Sequence, residues 1–135
     1  MANALYQKSR TKFLEGNLGW GGTIKVACVD SADYTPDLVN DEFLDIIDPV
    51  AIVATSPALT GVTALADGVA DAEDVYITSV TGDPFEYLVI YKEGATDALS
   101  ELIVLLDTVS GMPVSPNGTD INIVWDNGSN RMFKL

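Results

Sequence analysis

The stretch from Thr119 to Leu135, TDINIVWD-NG-SNRMFKL, constrains this chain's fold more than any other. Ile121, Ile123 and Trp125 alternate with Asn122, Val124 and Asp126. That is the period of a strand with one face in a core. Asn127-Gly128 follows, and both residues tolerate the positive φ of a tight hairpin turn. Met132 to Leu135 then runs back, ending on apolar Phe133 and Leu135 rather than on a polar tail. The pattern predicts a β-hairpin that closes the protein inside a sheet, with Trp125 in the core.

The rest of the chain reads the same way. Thr23–Asp30, Val50–Ala54, Val75–Val80 and Glu86–Lys92 have strand composition. Glu86–Lys92 is apolar on both faces and should be a central strand. Glu101–Thr108 fits strand by its length and its neighbours. Residues 55–74 suggest one or two weak strands joined by turns. Before them, residues 4–15 have no Gly or Pro and read as a short helix, which Gly16, Gly19, Gly21 and Gly22 end. Residues 31–49 read as an acidic loop with one helical turn over Asp41–Ile47, capped by Asn40 or Asp41 and ended by Pro49. Seven to nine short strands with frequent turn signals predict an all-β fold, an antiparallel two-sheet sandwich of jelly-roll or immunoglobulin-like kind. We divide it into an N-terminal helical arm, 1–20, and a β-sandwich, 21–135, within one globular domain. At 135 residues such a chain buries enough surface to fold without disulfides or metal.

Charge narrows the function. The 20 acids and 7 bases give a net charge of −13. A nucleic-acid or anionic-membrane surface needs the opposite sign, so neither partner is expected. No apolar run approaches a membrane span, and no apolar segment follows Met1-Ala2-Asn3 as in a secretory leader. Three of the seven bases, Lys8, Arg10 and Lys12, crowd the N-terminal segment, whereas seven acids lie between Asp30 and Asp48. A basic start on an acidic body suggests that the first segment meets a different surface from the rest. Two readings stand side by side: the segment docks on a partner, with Leu5, Tyr6 and Phe13 supplying buried area, Lys8, Arg10 and Lys12 register and Trp20 a further anchor, or the helix caps the open end of its own sandwich.

Catalysis has little to work with. The absence of histidine removes Ser-His-Asp and Cys-His chemistry. Cys28, the single cysteine, lies mid-strand as a buried, inert thiol. Carboxylates are plentiful, but the sequence singles out no glycosidase pair. Asp37, Asp41, Glu42, Asp45 and Asp48 form one acidic cluster, and Asp71, Glu73 and Asp74 another. Both lack the EF-hand spacing and read as solvated loops. Asn117-Gly118-Thr119 and Asn127-Gly128-Ser129 read as turns rather than glycosylation acceptors. We therefore expect no enzyme, no cofactor and no metal.

Seven word-like blocks carry a resemblance. They are MANALYQKSRTKFLEG, TIKVACVDSADYTP, FLDII, VATSPALTG, DGVADAEDV, LVIYKEG and GMPVSPNGTDINIVWDNGSNRMFKL. Over nearly the whole length the chain resembles a family of small virion proteins of tailed bacteriophages, similar to capsid cement or decoration proteins of jelly-roll fold. The resemblance implies a protein assembled in the host cytoplasm that sits on the outside of the head. It also implies that the chain binds the major capsid protein and pairs with itself as a dimer or trimer. The alternative is a tail or fibre module that recognises a host-surface glycan through exposed aromatics such as Trp20.

Overall fold

The computed structural model describes residues 3–128 and 131–135. In chain order its elements are β1 (Ala4–Leu5), α1 (Gln7–Glu15), β2 (Ile24–Val29), β3 (Ile52–Thr55), β4 (Thr63–Leu65) and β5 (Val69–Asp71). They continue with β6 (Val75–Ile77), β7 (Tyr87–Lys92), β8 (Glu101–Leu106), β9 (Ile121–Ile123) and β10 (Phe133–Lys134). The protein is all-β, antiparallel, with one short α-helix.

Strand β7 is central, as its two apolar faces require. It lies in a five-stranded sheet of order β1-β8-β7-β2-β3. Leu88 and Ile90 point to one face with Ile24, Val26 and Cys28, while Val89 and Tyr91 point to the other with Ala27 and Val29. Between Ile90 and Tyr91 the pairing with β8 slips, from Val104 to Leu102. This bulge leaves Ile103 as the extra residue, and Ile103 and Val104 both enter the first core.

Each face of this sheet is covered by different chain. Two small sheets, β10-β5-β4 and β6-β9, lie over the first face. They contribute Ala70, Val75, Ile77, Ile123 and Phe133 to its core, joined by Trp125 just after β9. The second face is covered by Tyr6 and by Tyr34, Leu44, Ile47 and Ala51 from the acidic segment. That segment is thus a layer of the protein rather than a solvated loop. Its helical content is two 3-10 turns, Leu44–Ile46 and Pro49–Ala51. Neither Asn40 nor Asp41 caps a turn, and Pro49 begins the second turn instead of ending the first. Asp48 caps that second turn, accepting from the Val50 N–H at 3.0 Å.

Two other expectations are corrected. The helix starts at Gln7, not at residue 4, because Ala4 and Leu5 pair with Leu105 and Val104 at the edge of β8. An open sheet edge offers hydrogen bonds and burial that a marginal first helical turn does not. Gly16 closes the helix in the left-handed conformation, φ 76°, as a C-cap glycine should. Among the described residues the two arms of the expected closing hairpin do not pair with each other. β9 pairs with β6 (Ile123 opposite Val75), and β10 with β5 (Phe133 opposite Ala70). Ser129 and Asn130, part of the expected turn, lie outside the described residues. A two-stranded hairpin alone is marginal, whereas these separate pairings bury Ile123, Trp125, Met132 and Phe133 in one core.

Candidate functional site

The basic N-terminal segment is built into its own body. Tyr6 is fully buried, and its backbone N–H donates to Ile103 O at 2.9 Å. Ser9, the buried residue of α1, donates to Ile103 O at 3.1 Å. The Lys12 ammonium lies 2.7 Å from both Glu42 and Glu101 and 4.5 Å from the centre of the Phe43 ring. Leu5 and Phe13 are half-buried against the first core. Trp20 is likewise half-buried, meets Phe133 edge-on at 5.1 Å and donates its indole N–H to Thr63 O at 2.8 Å. Of the residues picked out by sequence, Lys8 and Arg10 are exposed. They flank the buried Ser9 on opposite sides of α1, and Leu14 beyond them is 88% exposed.

The acidic clusters are taken up by structure. Asp41 is buried and accepts from the Tyr34 hydroxyl at 2.7 Å and from the Asp37 N–H at 2.8 Å. Tyr34 has a single hydroxyl proton, so Tyr6, 3.0 Å away, donates to it. The chain Tyr6 to Tyr34 to Asp41 is therefore directional. Desolvation is the main reason that both phenols sit above the ordinary tyrosine range. Asp74 accepts from the Trp125 N–H, and Glu73 offers its carbonyl to the Trp125 indole. Burial pushes the Cys28 thiol up to about 12, which leaves it protonated and unreactive at neutral pH. Among the described residues, no three Cys, Asp or Glu side chains are grouped to hold a metal. Nor does any buried side-chain nitrogen or oxygen there lack a partner.

What sequence reasoning missed is a groove of about 750 Å³ along β9. Leu88, Leu106, Val109, Met112 and Val114 line it together with residues 121–127. Ile121, Asn122, Ile123 and Val124 all line it. Neighbouring strand residues point to opposite faces, so a cavity touched by four in a row runs along the strand's edge. That edge carries no partner strand among the described residues, since β9 pairs only with β6. The signal lay in the sequence as GMPVSP followed by INIV, but these stretches are brought together only by the tertiary fold. A smaller hollow of about 130 Å³ lies between Phe13, Trp20, Val69 and Phe133.

No protein-family model matches this chain, and a search of curated proteins finds no match. No helix among the described residues is long and apolar enough to cross a membrane.

Proposed function

We propose that this chain is a decoration protein of a tailed-bacteriophage head, a jelly-roll-like body that binds the outer surface of the major capsid lattice and stabilises it. The sequence resemblance supports the reading. The structural observation that carries it is the apolar groove along an edge of β9 that has no partner strand among the described residues, on a body whose described buried side-chain nitrogens and oxygens are all partnered. A surface of that kind suits adhesion to another protein. A role in adhesion needs no bond made or broken. Lys8 and Arg10, exposed on an otherwise acidic molecule, would steer the approach and fix register. The half-buried, hydrogen-bonded Trp20 is poorly placed as a sugar-stacking platform, which weighs against the glycan-binding alternative.

The test is stoichiometry. Quantitative mass spectrometry of purified particles should give a copy number that scales with the major capsid protein. A copy number matching the portal or tail tip would refute the reading.

A further inference from the structure

We propose that Asn127-Gly128 is a self-modifying site, at which the Gly128 nitrogen attacks the Asn127 side-chain amide and the Arg131 guanidinium promotes the attack. The chain has two Asn-Gly pairs, Asn117-Gly118 and Asn127-Gly128. Both asparagines are exposed, and in each pair glycine leaves the attacking backbone nitrogen unshielded by a side chain. The fold treats the two pairs differently. At the first, the Gly118 N–H donates to Val80 O at 2.7 Å, and the Val80 N–H donates back to Thr119 O at 3.1 Å. Asn117 Oδ1 accepts from the Thr119 hydroxyl at 2.6 Å and from its N–H at 3.2 Å. Nucleophile and amide are both held, so closing a succinimide ring must break both holds. At the second pair, no hydrogen bond to a described residue holds the Gly128 N–H. Asn127 Oδ1 accepts instead from Arg131 Nη1 at 3.2 Å. A cationic donor on that oxygen draws electrons from Cγ and stabilises the oxyanion formed as the nitrogen adds.

The step needs no co-reactant but water. The bond from Gly128 N to Asn127 Cγ forms and the bond from Cγ to Nδ2 breaks. The Gly128 proton leaves with the departing amide as ammonia. Water then opens the succinimide at either carbonyl, giving aspartate or isoaspartate. The product puts a second carboxylate among Asp126, Asn127 and Arg131, which line the groove together.

The full chain would be held at mildly alkaline pH and sampled by peptide mass mapping. An isoaspartyl methyltransferase with S-adenosylmethionine would report the isoaspartate form. Asn127 should convert about tenfold faster than Asn117, the rate equivalent of the hydrogen bonds that Asn117-Gly118 must break. In urea, with both pairs unfolded, the two rates should converge. Arg131→Met should slow Asn127 and leave Asn117 unchanged, whereas Arg131→Lys, which keeps a cationic donor, should recover much of the rate. Melting temperature is the folding control for both variants, and the urea comparison needs neither. Asn117 converting as fast as Asn127 in the folded chain would overturn the assignment. So would an advantage of Asn127 that persists undiminished in urea, or a folded Arg131→Met chain that converts Asn127 at the wild-type rate.

Discussion

The Lys12 ammonium and the Glu101 carboxylate meet at 2.7 Å, tying α1 to the start of β8. Glu42 holds the same ammonium from the acidic segment, also at 2.7 Å. Desolvation works to lower the Lys12 pKa, but the hydrogen bonds to Glu101 and Glu42 together outweigh it, and the net shift is upward. The stability this adds is therefore full below the ordinary lysine value and is lost as pH rises through the higher folded value. Lys12→Met keeps the stem and removes the charge. It should cost about 1 kcal/mol, allowing for solvent screening of the part-exposed Glu42. The difference from wild type in urea unfolding should stay flat between about pH 6 and 9 and shrink above that. A cost that vanished by neutral pH would contradict the pairing.

The Tyr6–Tyr34–Asp41 chain gives a second outcome. Tyr34→Phe leaves Tyr6 without its acceptor and Asp41 without its hydroxyl donor, both in a buried site. The expected loss is about 1–3 kcal/mol by chemical denaturation. Because burial raises both phenols, their contribution is complete below the ordinary tyrosine pKa and falls only as pH climbs beyond it. NMR of ring-labelled tyrosine should show these two ionising only as the protein unfolds. Ordinary titration of either in the folded state would refute the buried chain.

The middle of the fold was legible because its strands are buried on two faces. Tyr87–Lys92 and Ile24–Val29 carry that burial in their own composition, and no partner is needed to recognise them. The end was misread for the converse reason. Asn127-Gly128 is a strong local turn signal, but the pairing of Ile123 with Val75 and of Phe133 with Ala70 depends on residues some fifty or sixty positions away. The acidic segment was misread because its charges are dense, although Tyr34, Leu44 and Ile47 among them close the second core. Tyr6, picked out as a partner anchor, serves that same core, a role that shows only once Ala4 and Leu5 are seen to extend the sheet. The groove was invisible to pattern because it is an edge, and edges are defined by which strands fail to arrive.

Gly94 sits where the turn between β7 and β8 leaves no room for a side chain. A Cβ there would press on the backbone carbonyl of Leu99, which has no side chain to swing away. Leu99 and Ser100 are held in turn by hydrogen bonds to Thr96 and Asp97. Gly94→Ala should destabilise by about 1–3 kcal/mol, as overpacking does. Gly19→Ala, with nothing within 4 Å of the added methyl, is the neutral control. Equal melting temperatures for the two variants would contradict the close approach of Leu99 to Gly94.

Phe133 anchors the last strand against Trp20. Phe133→Ala should cost about 3–5 kcal/mol, as other large-to-small core changes do. It should also shift Trp20 emission to the red, read in a Trp125→Phe background, because water reaches the indole. A large loss of stability without the spectral shift would separate β10 pairing from this ring contact.

Lys8 and Arg10 allow the proposed approach to the head to be tested without disturbing the fold. Lys8 and Arg10 are exposed, whereas Lys12 is tied to two carboxylates. Deleting residues 2–15 would confound docking with folding, because it removes buried Tyr6 and the strand that covers the edge of β8. The double variant Lys8→Glu, Arg10→Glu avoids that. Its unfolding free energy should stay within about 0.5 kcal/mol of wild type, as for surface changes away from packed features. If these two charges steer the molecule onto the head, the association rate with undecorated heads should drop by about tenfold or more at low salt. The gap should narrow as salt is raised, because screening removes steering but not contact. Surface plasmon resonance on immobilised heads separates the two rates. A slower arrival with an unchanged dissociation rate places Lys8 and Arg10 in the approach, whereas an unchanged arrival removes the helix from the docking surface and leaves the groove to account for binding.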